Sequence, residues 1–199
     1  MSSTNRRRYR KTKRALSEEE TKRRIIEATV ALHQSVGPAR TTLKAVAEAA
    51  GVQRATVYKH FPDLQALFDA CTSHYYGRHP MPDPATWAHI TSPSERLLRA
   101  LSDLYDWYGE TEQMLYMGTR DIESVPPASR EAFLGYFEHV RKTLMSGRTE
   151  RGRARVRVFA AIGHAINFAT WRSLVREQGL RSEEVLSLMD ALVAAASGT

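Results

Sequence analysis

The sequence predicts an all-α protein of about nine helices. Apolar residues recur every three or four positions over most of the chain, the period of a helix with one buried face. Helix-ending signals stand between those runs, at Gly37-Pro38, Gly51, Phe61-Pro62, Gly109, Val125-Pro126-Pro127 and Gly179. The alternation that a strand needs occurs only in residues 153–158, and that stretch leads straight into helical periodicity.

Residues 2–15 are mostly Ser, Thr, Arg and Lys, a composition that cannot bury enough surface to order itself. Ser17-Glu18-Glu19-Glu20 then has the form of a capping box, with a hydroxyl and a carboxylate available to the orphan amides of a helix start. Ile25, Ile26, Ala28, Thr29, Leu32 and Val36 follow until Gly37-Pro38 stops the first helix. Thr41 or Thr42 caps a second helix that runs to Gly51. A short third helix covers 54–60 and ends because Pro62 disfavours α geometry at Phe61. Asp63 caps a fourth, with Leu64, Leu67, Phe68 and Cys71 on one face.

Four prolines in residues 77–93 mark the connection between two functional units, with one helical turn around Trp87. Beyond it, helices are expected over 94–108, where Leu97, Leu98, Leu101, Leu104 and Tyr105 share a face, and over 110–122. Residues 128–145 present Phe133, Leu134, Phe137, Val140 and Leu144. A long helix over 153–176 and a last one over 182–196 complete the chain, the latter with Glu183 and Glu184 favourably placed in its first turn. The expected division is a basic disordered arm (1–16), a first helical domain (17–62) and a second (63–199) that begins with the fourth helix.

Hydrophobic content of 42% and charged content of 26% are ordinary for a soluble domain. The net charge of +7 is unevenly spread: residues 1–76 hold 14 Lys/Arg against 7 Asp/Glu, and the remainder holds 15 of each. A basic excess confined to one module suits a polyanion partner. Cys71 is the only cysteine, so an intrachain disulfide is excluded and a reducing compartment is expected. No apolar run follows the basic N-terminus as in a secretory signal, and none is long enough to span a bilayer. A cytoplasmic protein without a membrane partner is the expectation.

Residues 42–61 carry the most information. Ala47 stands where two helices cross closely, and Gly51 where the turn demands a left-handed backbone. Val46, Ala50, Val52 and Val57 are small apolar residues placed to pack the two helices. In a helix–turn–helix the N-terminal residues of the second helix meet base edges in the major groove. Here these are Gln53, Arg54, Ala55 and Thr56: Arg54 suits guanine, Gln53 adenine, and Ala55 or Thr56 a thymine methyl. Tyr58, Lys59 and His60 at the far end suit phosphates, as does Thr42 at a helix N-terminus. Arg6, Arg7, Arg8, Arg10, Lys11, Lys13 and Arg14 form a basic arm that is expected to lie along phosphates or enter a minor groove.

This stretch resembles the tetracycline-repressor (TetR) family of one-component regulators, through Thr41-Thr42, Val46-Ala47, Ala50-Gly51-Val52, Thr56-Val57-Tyr58, His60-Phe61 and Leu67-Phe68. The resemblance is dense over roughly residues 20–70. It implies three DNA-binding helices, and a fourth linking them to a ligand-binding, dimerising bundle. By position, Thr42, Arg54, Ala55, Tyr58, Lys59 and His60 resemble the family's DNA-contacting residues. Where members often have Lys-Glu, this chain has Leu64-Gln65, so a phosphate contact from a lysine is lost there.

The long C-terminal helix holds Ala160, Ala161, Gly163, Ala165 and Ala169 among Phe159, Ile162, Ile166 and Trp171. With Leu186, Met189, Leu192 and Val193 of the last helix, they are expected to form a four-helix homodimer interface, as the resemblance implies. A twofold dimer would place two recognition helices about 34 Å apart on a palindromic operator of double-stranded DNA. Eleven aromatics lie between Trp87 and Trp171. Trp107, Tyr108, Tyr116, Phe133, Tyr136, Phe137 and Phe168 are candidates to line a site for an apolar or aromatic effector, with His139, His164 and Asn167 as orienting polar groups.

No catalytic motif is present: neither His-Glu-x-x-His nor Gly-x-Ser-x-Gly, nor a phosphate-cradling glycine loop. Cys71, His74 and His79 are the nearest approach to a metal cluster and lack a second pair, so neither metal nor cofactor is expected. The expected function is a ligand-released repressor. The alternatives are a constitutive dimeric DNA-binding protein without an effector and a metal-dependent enzyme.

Overall fold

The recurrent apolar spacing carries through into ten α-helices among residues 3–198, the part that the computed structural model describes. They are α1 (Ser3–Ser35), α2 (Leu43–Ala49), α3 (Arg54–His60), α4 (Leu64–Tyr76), α5 (Ala85–Ala88), α6 (Pro93–Arg120), α7 (Pro127–Met145), α8 (Gly152–Ala165), α9 (Phe168–Arg172) and α10 (Ser182–Ser197). No described residue lies in a strand, and 153–158 are helical. No described helix is long and apolar enough to cross a membrane. The chain divides into two compact units: Met1–Arg78 with Tyr116–Ser129, and His79–Leu115 with Arg130–Thr199.

The first unit is built on Ile25 and Ala28 of α1, Val46, Ala47 and Ala50 around α2, Val57 and Phe61 around α3, and Leu67 of α4. Burying a side chain of this size stabilises by about 2 kcal/mol. Four helices converging on Val46 and Val57 therefore hold two seven-residue helices that would not persist alone. Because Leu67 belongs to this core, α4 packs with the first unit, although 62/63 was the expected domain boundary. Asp63 caps α4 as expected, its Oδ1 accepting from Ala66 N at 2.7 Å.

The helix start differs from expectation. α1 begins at Ser3, so Ser17 lies inside a helix rather than capping one, and its carbonyl accepts the Thr21 hydroxyl at 2.8 Å. Residues 3–16, expected to be a disordered arm, are helical. Arg and Lys are good helix formers, no Gly or Pro interrupts residues 3–35, and Arg14 pairs with Glu18 one turn on. A helix already nucleated beyond residue 17 extends at little cost. The contacts expected of Arg6, Arg7, Arg8, Arg10 and Lys11 lie outside the described side chains.

At the other end of α1, Gly37 has φ +89°, and its amide donates to Leu32 O at 3.2 Å. Arg120, the last residue of α6, and Asp121 just after it clasp this turn. Arg120 Nη2 donates to Val36 O at 2.8 Å, Asp121 Oδ2 accepts from Ala39 N at 3.1 Å, and Arg120 and Asp121 pair at 2.7 Å.

In the second unit Leu97, Ala100, Leu101, Leu104 and Tyr105 of α6 are buried with Val140 and Leu144 of α7, Val158 and Ile162 of α8, and Val185, Met189 and Val193 of α10. Leu134 and Leu98, expected on buried faces, are exposed. Trp87 of α5 is fully buried, and its Nε1 donates to Asp103 at 2.8 Å. Buried Arg96 reaches Ile90 O at 2.9 Å and Thr143 O at 3.2 Å, capping the end of α7.

Two helix boundaries were misplaced by sequence. Gly109 does not end a helix: α6 runs through it, and Thr111 Oγ1 donates back to Trp107 O at 2.6 Å across it. A mid-helix glycine costs about 1 kcal/mol, which burial of Leu104 and Tyr108 before it and Leu115 after it outweighs. Conversely, the single helix expected over 153–176 breaks at Ile166-Asn167. The Tyr105 hydroxyl donates to Ala165 O at 2.8 Å and the Tyr108 hydroxyl to Ile166 O, occupying carbonyls that a continuous helix would use. The Asn167 side chain caps α9 by accepting from Ala169 N at 2.8 Å. A π-helical turn, Ser173–Glu177, then closes the segment.

Candidate nucleic-acid interface

The geometry of 42–61 follows from three local devices. Thr42, in extended backbone, caps α2 by accepting from Ala45 N at 3.1 Å. Gly51 takes φ +64°, the left-handed conformation that the turn requires, and Val52 N returns to Ala47 O at 3.0 Å. Gln53 in extended backbone then begins α3 without using its side chain as a cap.

Once Val57 is buried against α1, α2 and α4, the helical period fixes what α3 offers to solvent. Gln53, Arg54 and Ala55 are exposed at its start, Tyr58 and Lys59 near its end, and Thr56 and His60 are half-buried at the margins. Arg54 and Tyr58 are one turn apart on the outer face, and Tyr58 is 48% exposed despite its size. Thr42 is exposed at the start of α2. The eight residues predicted from sequence therefore lie on α3 and the α2 N-terminus of one unit, six of them exposed.

Lys59 has a partner that sequence reasoning missed. Its Nζ lies 2.9 Å from Glu18 Oε1 of α1, and Arg14 Nε lies 3.5 Å from the same oxygen. The hydrogen bond and charge of Lys59 hold the Glu18 carboxyl below its ordinary value. The sequence offered no signal for this pair, because Glu18 was expected in a capping box that the longer α1 removes.

The predicted effector residues do not form one group. Tyr108, Phe168 and Trp171 are buried together, with Tyr108 5.5 Å from Phe168 and 5.7 Å from Trp171. Trp107 Nε1 donates to His79 O at 3.1 Å, and the Tyr136 hydroxyl to Pro82 O at 2.7 Å, so both hold the proline-rich connection. Phe133, Tyr136 and Phe137 form a second, half-buried ring cluster on α7. His139, His164 and Asn167 are exposed, and Tyr116 lies in the first unit. A groove of about 560 Å³ in the second unit is lined by Lys142, Met145, Ser146, Arg155, Val156 and Phe159, none of which was predicted as an effector residue, Phe159 having been expected at the dimer interface.

Cys71 is buried, with Sγ 3.7 Å from His33 Nδ1. Burial pushes its thiol up to about 12 and so keeps it protonated. Among the described residues no three of His, Cys, Asp and Glu gather to hold a metal ion. Burial also drives the His33 pKa down from 6.5 to about 4, because the imidazolium would be desolvated. A depressed histidine pKa means that the unfolded chain binds the proton first, so stability is complete above pH 6.5 and falls toward pH 4. Melting curves across that window should show a loss of up to about 3 kcal/mol that His33→Gln largely removes. Parallel pH profiles for the two proteins would contradict the assignment.

Residues 42–61 thus form a helix–turn–helix, and the second unit is built of helices. Residues 25–71 match the family model described as bacterial regulatory proteins, tetR family. The fold is similar to that of a TetR-like transcriptional regulator from a Rhodococcus species, at 17% identity, 90% of this chain and 97% of that one, with a TM-score of 0.63. A tetR-family regulator from Streptomyces coelicolor is similar at 19% identity, covering 89% and 80%, TM-score 0.61. A TetR family regulator from Thermus thermophilus follows at 19%, covering 85% and 96%, TM-score 0.56. No curated protein sequence matches the chain. Residues 25–71 thus resemble the N-terminal module of the tetR family, and the fold of the chain is similar to that of TetR-type transcriptional regulators.

Proposed function

We propose that this protein is a sequence-specific DNA-binding transcriptional regulator that binds a palindromic operator as a homodimer and is released by an apolar or aromatic small molecule. The observation that carries the DNA-binding reading is the exposed start of α3, where Gln53, Arg54 and Ala55 face solvent while Val57 anchors the helix. Arg54 and Gln53 read bases; Thr42, Tyr58, Lys59 and His60 hold phosphates. Selection of bound duplexes from a random library should enrich a palindrome with half-sites one helical turn or a multiple apart. On that duplex, Arg54→Ala should cost about 2 kcal/mol and relax preference at one base position. Lys59→Ala should instead weaken all sequences and flatten the log–log salt slope by about one. Unchanged binding in both variants would sink the assignment.

Dimerisation is supported by an apolar stripe left outside the protomer core. Leu188, Ala191, Leu192 and Ala195 of α10 are exposed at helical spacing, and so are Val156 and Ala160 of α8. Several residues expected at the interface, Ala161, Ile162, Ala165, Ile166, Trp171, Met189 and Val193, are instead core of the protomer. Repression is the proposed sign, since a dimer on its operator obstructs polymerase without further machinery.

The effector reading is supported by the aromatic content of the second unit and by Trp171 Nε1, a buried donor with no acceptor among the described residues, which a ligand carbonyl would satisfy. The hydrogen-bonded packing of Tyr108 favours a second reading, a constitutive dimer without effector. Thermal stabilisation by a member of an apolar and aromatic compound panel, with loss of operator binding, distinguishes the two. A compound that raises Tm without releasing DNA would leave the constitutive reading standing.

A further inference from the structure

Lys59, the cation placed to receive a phosphate, is already held by a carboxylate of its own chain. Glu18 projects from α1, forty-one positions away in sequence, and its Oε1 lies 2.9 Å from Lys59 Nζ. Both side chains remain open to water, at 60% and 45% exposure. Glu19 and Glu20 lie on the same turn, exposed, but the carboxylate that contacts Lys59 is that of Glu18.

A phosphate that approaches Lys59 therefore meets a negative charge one ion-pair distance from its target. Two anions cannot share an ammonium in water without repelling each other, and an exposed pair gives way at modest cost. We propose that Glu18 sets DNA affinity by acting as an intramolecular competitor for phosphate at Lys59. This rests on the reading of Lys59 as a phosphate contact. Because phosphate contacts supply almost all non-specific affinity, Glu18 restrains binding to any DNA, and base contacts from Arg54 and Gln53 must overcome it. Arg14, 3.5 Å from the same carboxylate, supplies the alternative partner once Lys59 turns to DNA.

The test compares full-length wild type, Glu18→Gln, Glu19→Gln, Lys59→Ala and the Glu18→Gln/Lys59→Ala double variant. Each is titrated by fluorescence anisotropy into the selected operator and a scrambled duplex over a range of salt. Glu18→Gln should bind both duplexes about threefold more tightly at low salt, with a salt slope steeper by up to about one. Glu19→Gln, which removes the same charge one residue away, should change little, and the gain from Glu18→Gln should vanish in the Lys59→Ala background. Equal gains from Glu18→Gln and Glu19→Gln would reduce the effect to net charge and overturn the proposal, as would a gain that survives without Lys59. Weaker binding by Glu18→Gln would overturn it too, making the carboxylate a support for Lys59. If Lys59→Ala alone binds normally, the phosphate reading of α3 fails and the competitor role falls with it. Circular dichroism of each variant checks that α1 is intact.

Discussion

Gly37→Ala should destabilise the first unit by about 3 kcal/mol or more and abolish DNA binding with it. The backbone at Gly37 has φ +89° and ψ 164°, a region that costs an L-residue heavily. A Cβ there would stand 2.3 Å from both Arg120 Nη2 and Asp121 Oδ2. Those side chains would have to withdraw, giving up the hydrogen bonds to Val36 O and from Ala39 N that set the turn before α2. Gly109→Ala is the contrasting case: it lies in a continuous helix with nothing within 4 Å of a Cβ, and should be neutral or stabilise by up to about 1 kcal/mol. Urea unfolding of both variants checks the pair. A Gly37→Ala protein as stable as wild type would mean that the turn does not have this backbone.

The second large effect is expected at the apolar stripe of α10. Leu188 and Leu192 are 45% and 38% exposed, so Leu188→Glu/Leu192→Glu places no charge in the protomer core. In the proposed dimer the same charges would be buried against the partner without compensation. The double variant should be monomeric by sedimentation, retain its helical signal, and lose operator affinity by at least about 100-fold, since two linked heads bind far more tightly than one. A dimeric double variant would move the interface elsewhere. A monomer that binds the operator undiminished would mean that one α3 suffices.

The helix–turn–helix was legible in sequence because everything that shapes it is local. Thr42 caps within three residues, Gly51 supplies one backbone conformation, and Val57 selects the buried side of a seven-residue helix. Position along the helix then assigns Gln53, Arg54 and Ala55 to the outside without knowledge of anything distant. The Glu18–Lys59 pair and the Arg120–Asp121 clasp join residues forty or eighty positions apart, and no periodicity announces them.

Local signals without their tertiary context misplace helix boundaries. Gly109 looks like an end until Leu104 and Leu115 are seen to be buried on either side of it, and residues 153–176 look continuous until the Tyr105 and Tyr108 hydroxyls claim the carbonyls of Ala165 and Ile166. The division of apolar residues between core and surface followed the same rule. Met189 and Leu192 are equally apolar and both lie on α10, yet the first is buried and the second exposed. By itself, then, the sequence determined an all-α chain, a basic N-terminal module and the outward face of α3, because composition, period and capping act over a few residues. Only the tertiary structure decided which carboxylate holds Lys59, which residues clasp Gly37 and which apolar residues of α10 stay outside the core, because those depend on side chains that meet only after the helices pack.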